Sequence, residues 1–364
     1  MATEPSPDNI HVVLVDDSAV IRNVISTILR AEEGIEVVGK AVDGQQGIEA
    51  VKRLHPDIVI LDVEMPVMNG LEALPHMLRA KPDLKVLVCS SLSERGAEIS
   101  IRAMEMGAAD CILKPSSIQG LHSMDDFKNR LVELVKLLGR HKPSRKPAAQ
   151  ERSAKSLLTP ATPPVLLKRT ATQSPAILAI GSSTGGPQAL MKVLPHLRGL
   201  RVPIVVTQHM PRTFTAVMAR QIANSCNIPA HEAMDDMALA PGHVYVAQGG
   251  YHMLFTRKDE RTVAIRLDDG PQESFCKPAV DPMMRSLSAV YGARVLAVIL
   301  TGMGSDGLQG CKQVVAQGGT VLAQNEETSV VWGMPGAVAK AGICSEILPL
   351  EDMGPHIVER MARV

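Results

Sequence analysis

The sequence predicts an α/β protein: two doubly wound domains with mainly parallel sheets, joined by a flexible linker. Three observations carry this. Short, almost wholly aliphatic runs alternate with amphipathic stretches along most of the 364 residues, the pattern of strands covered by helices on both faces. The length also exceeds one ordinary core, at about 150 residues per domain. Between 139 and 174 the alternation stops. GRHKPSRKPAAQERSAKSLLTPATPPVLLKRTATQS holds eight Lys and Arg, one Glu, five prolines and no aromatic residue, too little apolar surface to offset the entropy of ordering it.

In the first domain, expected at 10–138, the strands are HVVLV (11–15), IEVVG (35–39), DIVIL (57–61), KVLVC (85–89) and ADCIL (109–113). Amphipathic helices are expected near 19–30, 45–54, 70–80, 95–106 and 124–138. In the second, at 175–364, the strands are AILAI (176–180), PIVVTQ (203–208), VLAVIL (295–300) and TVLA (320–323). HVYVAQGGYHMLFTRKDERTVAIR (243–266) interrupts them with period-two alternation and turn residues, which predicts an antiparallel excursion. EDMGPHIVERMARV closes the chain as an amphipathic helix.

Composition excludes several classes. Zero formal net charge and 2% aromatic residues argue against nucleic-acid binding, which draws on basic surfaces and base-stacking rings. The N-terminus lacks a signal peptide's basic and apolar regions, and no apolar run approaches the ~20 residues that span a bilayer. Six cysteines show no ligand spacing and read as reduced core thiols. A cytoplasmic protein without membrane insertion, acting as a monomer, is expected.

In a doubly wound sheet, chemistry gathers at the carboxyl ends of the strands. HVVLV runs into Asp16 and Asp17, DIVIL into Asp62, KVLVC into Ser90 and ADCIL into Lys114. Clustered carboxylates repel unless a hard cation such as Mg²⁺ lies among them. A lysine and a hydroxyl opposite would stabilise a phosphoryl group added to a carboxylate. The alternative is that turns simply favour Asp, which accounts for any one of these ends but poorly for all four. LVDDS, LDVEMPVMNG, CSS and LKPS resemble response-regulator receiver domains over roughly 10–135. The resemblance implies a flavodoxin-like fold and Asp62 as phosphoacceptor. It implies Mg²⁺ held by Asp16, Asp17, Asp62 and the Glu64 carbonyl, and phosphate sensing by Ser90 and Lys114. Cys111 stands where such domains usually carry an aromatic switch residue, so coupling to the outer face is expected to run differently.

In the second domain AIGSSTGGP (179–187) joins a strand to a helical pattern. A P-loop needs a lysine after its glycines, and a dinucleotide fingerprint needs other spacing. Gly181-Ser182-Ser183-Thr184-Gly185 does match G-x-S-x-G, a turn that pushes a hydroxyl above the sheet edge. A serine nucleophile needs a base, and the base an orienting carboxylate. His209 follows PIVVTQ, and Asp306 follows VLAVIL within TGMGSDG, so both belong to that edge. The loop's backbone near Met303 could aim N–H groups at an oxyanion. The alternative for Asp306 is a cap on the helix starting near Gly307, a common use of Asp.

AIGSSTGG, TQHMP, DGP, LTGMGSDG and AQNEETSVVWGMP together resemble the catalytic domain of the chemotaxis protein-glutamate methylesterases over about 176–350. The receiver–linker–esterase order matches from end to end. The resemblance implies a Rossmann-like esterase domain, with Ser183 as nucleophile, His209 as base, Asp306 as its partner, and Thr184 and Met303 near the oxyanion. It implies methyl-accepting chemoreceptors as substrate, a chemotaxis histidine kinase as phosphodonor, and no cofactor for the esterase step. Ser182, where the family usually has Ala, leaves two adjacent candidates; spacing and family favour Ser183.

Overall fold

The computed structural model describes residues 9–115, 120–139, 166–167 and 173–362. Five strands, β1 (Ile10–Val15), β2 (Ile35–Ala41), β3 (Ile58–Asp62), β4 (Lys85–Ser90) and β5 (Asp110–Leu113), alternate with five helices. These are α1 (Ala19–Arg30), α2 (Gly44–Leu54), α3 (Gly70–Ala80), α4 (Glu94–Glu105) and α5 (Gly120–Gly139). The strands pair in parallel in the order β2-β1-β3-β4-β5, the flavodoxin-like order whose direction reverses beside β1. Val12 to Val15 and Ile58 to Leu61 are buried throughout, as a sheet covered on both faces requires. Short polar residues start the helices. Ser18 accepts from the Ile21 N–H at 3.4 Å, Asp43 from Gln46 at 2.8 Å and Ser93 from Gly96 at 2.9 Å, each cap worth about 1 kcal/mol. Asn69 and Glu72 cap α3 reciprocally.

The second sheet orders its strands β14-β13-β12-β6-β7-β9-β8, all parallel. They are β6 (Ile177–Ser182), β7 (Ile204–Gln208), β8 (Ala230–Glu232), β9 (Val244–Val246), β12 (Val295–Ile299), β13 (Thr320–Gln324) and β14 (Glu346–Leu348). Helices α6 (Gly186–Val193), α7 (Arg212–Cys226), α8 (Val280–Tyr291), α9 (Leu308–Ala316), α10 (Met334–Lys340) and α11 (Leu350–Ala362) cover it. The expected antiparallel excursion is only partly antiparallel. Its second half forms the hairpin β10 (His252–Arg257) and β11 (Val263–Asp268). Its first half, β9, instead joins the main sheet in parallel beside β7, with Val244, Tyr245 and Val246 all buried.

The linker expected at 139–174 lies almost wholly outside the described residues. Within it, the Leu167 N–H donates to the Cys344 carbonyl at 2.8 Å. The two halves also touch directly. Arg220 on α7 reaches Glu94 at 2.6 Å and Glu98 at 3.2 Å on α4. Gln221 meets Glu105 at 2.8 Å, and Gln188 donates to the Ala108 carbonyl. Val331 belongs to the same apolar cluster as Phe127 and Leu131, with Met303 and Val330 packed against it. Among the described residues no helix is long and apolar enough to cross a membrane.

Candidate active site

Parallel neighbours that end together bring their following residues together. Ser182 and Gln208 are the last paired residues of β6 and β7, so Ser183 and His209 emerge side by side. The His209 N–H donates to the Ser182 carbonyl at 3.1 Å, and the Ser183 N–H to the Thr301 carbonyl, just beyond β12, at 3.0 Å. The loop after Thr301 returns Asp306, whose Oδ2 lies 2.7 Å from His209 Nε2. Serine, histidine and aspartate thus meet at one carboxyl edge.

Asp306 also accepts the N–H groups of Val280 at 2.6 Å, Asp281 at 2.9 Å and Gly307 at 2.9 Å. Helix α9 has Gly307 at its N-cap and no side-chain cap bond, so capping accounts for none of these contacts. Burial works to raise the Asp306 carboxyl, but the hydrogen bond and charge of His209, with those N–H groups, hold it below its ordinary range. For His209 burial works downward. The hydrogen bond to Asp306 leads the effects that outweigh it, and the imidazole is pushed up to about 9.

The two serines are separated by their partners. Ser182 is wholly buried and donates to Gln208 Oε1 at 2.7 Å. Gln208 Nε2 then holds the Ser183 carbonyl at 2.9 Å, fixing the turn from beneath. No hydrogen bond engages the Ser183 hydroxyl among the described residues. Gly185 has φ +75°, and a Cβ there would run into Val330; the turn therefore needs glycine. A Cβ on Gly302 would strike Ser183 and Met334. The Thr184 side chain is turned to the other half of the molecule, donating to Asp110 Oδ2 at 2.6 Å. The Thr184 and Met303 amides are unengaged among the described residues.

Two contacts escape sequence reasoning. Cys276 Sγ lies 3.3 Å from His209 Nδ1, so this thiol, expected in a core, faces the imidazole. Asp281 Oδ1 accepts the Gly310 N–H at 2.6 Å, tying α8 to α9 behind Asp306. Sixty-seven residues separate Cys276 from His209, and no motif links them.

At the first sheet's edge, oxygens of Asp16, Asp17 and Asp62 lie within 4.8 Å of one another. Lys114 Nζ sits 2.7 Å from Asp62 and 2.9 Å from Asp16. Burial raises the Asp62 carboxyl although Lys114 opposes it. Burial lowers Lys114, but its bonds to Asp62 and Asp16 prevail and raise it. Buried Asp16 Oδ2 has no aligned hydrogen-bond donor, only the Lys114 ammonium. A hard divalent cation fits this oxygen set. The Glu64 N–H donates to Asp62 Oδ1 at 3.2 Å. The Ser90 hydroxyl faces the Gly96 carbonyl at 3.1 Å. Cys111 is packed against the core, and burial pushes its thiol far up.

Residues 178–357 match the family described as CheB methylesterase, and residues 12–125 match the response regulator receiver domain. A Paramagnetospirillum magneticum protein named protein-glutamate methylesterase/protein-glutamine glutaminase 1 is 48% identical over 376 aligned positions, spanning 99% of this chain and 98% of its own. The chain belongs to the protein-glutamate methylesterase family. A second relative in that family, from Azospirillum brasilense, is 47% identical over 96% of this chain and 92% of its own. The crystal structure of the Thermotoga maritima CheB methylesterase catalytic domain aligns with TM-score 0.50 and 38% identity, over 51% of this chain and 99% of that one. Membership thus spans both α/β halves.

Proposed function

We propose that this chain is a phosphorylation-regulated serine hydrolase that demethylates glutamate γ-methyl esters on chemoreceptors and deamidates receptor glutamines, the adaptation step of chemotaxis. One observation carries the reading: His209, 2.7 Å from Asp306, stands at the strand end beside Ser183.

Ser183 Oγ attacks the ester carbonyl as His209 takes its proton. With Asp306 on Nε2, the receiving nitrogen is Nδ1, which exchanges its contact with the Cys276 sulfur, 3.3 Å away, for the Ser183 hydroxyl as substrate binds. The Thr184 and Met303 N–H groups meet the oxyanion, each such donor contributing about 3 kcal/mol. The C–OCH₃ bond breaks, His209 returns the proton, and methanol leaves. Water then attacks the acyl-enzyme, its proton passing to His209 and on to Ser183, and glutamate is released. Glutamine follows the same course with ammonia leaving.

The receiver takes its phosphoryl group from the chemotaxis histidine kinase onto Asp62. Asp16, Asp17, Asp62 and the Glu64 carbonyl would hold Mg²⁺, which neutralises charge during transfer. Lys114 meets the phosphoryl oxygens, and Ser90 turns from Gly96 toward them. Asp110, beside Cys111 on β5, accepts the Thr184 hydroxyl, so the receiver rests on the oxyanion side of the cleft. Phosphorylation releases that contact.

Methanol release from methylated receptor membranes tests the reading. Ser183→Ala is expected to fall to background, while Ser182→Ala, which loses a buried hydrogen bond, keeps measurable turnover. The reverse order would assign the reaction to the other serine. Because His209 must be neutral to act as a base, kcat/KM should climb between pH 7 and a plateau above about 9. Stability has the opposite sign. A histidine raised in the folded state stabilises fully below its unfolded value near 6.5 and loses that contribution as pH passes about 9. Tm should therefore fall over the range in which the rate rises; rate and Tm both flat across it would contradict the assignment.

A further inference from the structure

We propose that Phe275 is a substrate-docking residue, its ring seating on an apolar position of the receptor helix one turn from the esterified glutamate. The proposal deepens the hydrolase reading above and rests on it. The sequence has four phenylalanines. Phe127, Phe214 and Phe255 are buried, whereas Phe275 is 95% exposed.

Its backbone makes the exposure more telling. Glu273 and Cys276 exchange backbone hydrogen bonds at 3.2 and 2.9 Å, closing a two-residue turn over Ser274 (φ 52°) and Phe275 (φ 60°). Positive φ at both central positions suits Asn-Gly and is costly for a bulky side chain. Strain of this kind persists where the surroundings enforce it, and here both feet are pinned. Glu273 is held by the Arg285 guanidinium of α8 through two contacts, at 2.9 and 2.5 Å. Cys276 places its thiol 3.3 Å from His209 Nδ1. An aromatic ring that contributes nothing to the core is thus presented to solvent one residue from the cysteine that touches the catalytic imidazole.

The position suits a helical substrate, the form in which the family resemblance implies that chemoreceptors present their esterified glutamates. Neighbours three or four residues apart on a helix lie about 5–6 Å from each other, and the Phe275 Cα stands ~3.8 Å from that of Cys276, whose sulfur is 3.3 Å from the imidazole. A helix offering its ester to Ser183 would bring such a neighbour over Phe275, as in other helix recognition by apolar anchors. The receiver's polar contacts reach Thr184, Gln188, Arg220 and Gln221, and Phe275 is exposed beside the described receiver.

The test uses full-length protein activated by a small phosphodonor, with methylated receptor membranes as substrate and a fluorophosphonate as a small serine probe. Phe275→Ala is expected to raise KM tenfold or more (about 1.4 kcal/mol), with kcat within about twofold and an unchanged labelling rate. Phe275→Leu should recover most of the KM. An unchanged KM in Phe275→Ala would overturn docking. So would an equal loss of labelling, which would make the ring a support for His209. A wild-type protein that neither labels nor releases methanol would instead overturn the hydrolase reading, and docking with it.

Discussion

Asp306→Asn is expected to lower methanol release about 10⁴-fold, the loss that follows when a triad aspartate gives up its charge. The physical reason lies in what surrounds it. Asp306 answers the imidazole and three backbone N–H groups at once. An asparagine must turn its NH₂ toward one of those donors, so either a buried N–H loses its acceptor or His209 adopts the wrong tautomer. Loss of the carboxylate also removes the charge that lifts His209, and the rising limb of the pH profile should move down with it. A stability loss of about 1–3 kcal/mol accompanies the unsatisfied donor. Turnover within tenfold of wild type would show that this carboxylate does not orient the base.

Release of the receiver should have the next largest effect. The resting full-length protein should be slow, and a small phosphodonor with Mg²⁺ should raise its rate by about tenfold or more. The Thr184–Asp110 bond has a charged acceptor, a class worth about 1.5–3 kcal/mol, so Asp110→Ala alone should give most of that gain without phosphorylation. Arg220→Ala should do little, since exposed ion pairs contribute about 0–1 kcal/mol. Asp62→Asn, or chelation of Mg²⁺, should abolish the response to the phosphodonor yet leave the Asp110→Ala gain intact. Basal rates indistinguishable between wild type and Asp110→Ala would contradict occlusion through this contact.

Much of this was legible because a doubly wound sheet converts strand ends into a rim. Where an aliphatic run breaks into Asp62, Ser90 or His209, the break marks both the edge and the group standing on it. Strands β8, β9 and β14 were harder, being three residues each, too short for a period to register. In β9 the misreading has a specific source. Tyr245 looks like the polar beat of an alternating hairpin, but its hydroxyl meets the Ala240 N–H and Ala238 carbonyl, and the ring is buried. The feature that distinguishes the two serines, the hydrogen bond of the Ser182 hydroxyl to Gln208, comes from a neighbouring strand and leaves no mark in the motif. Cys276 and Phe275 were invisible because a tight turn and a distant strand set their places. No sequence signal tells that the hydroxyl of Thr184, a residue expected near the oxyanion, is engaged across the two halves by Asp110.

The most direct measurement is covalent. Activated full-length protein treated with a fluorophosphonate and digested for mass spectrometry should carry one adduct, on Ser183, formed more slowly when His209 or Asp306 is replaced. An adduct on Ser182 or Cys276, or formation indifferent to both replacements, would contradict a Ser183–His209–Asp306 hydrolase.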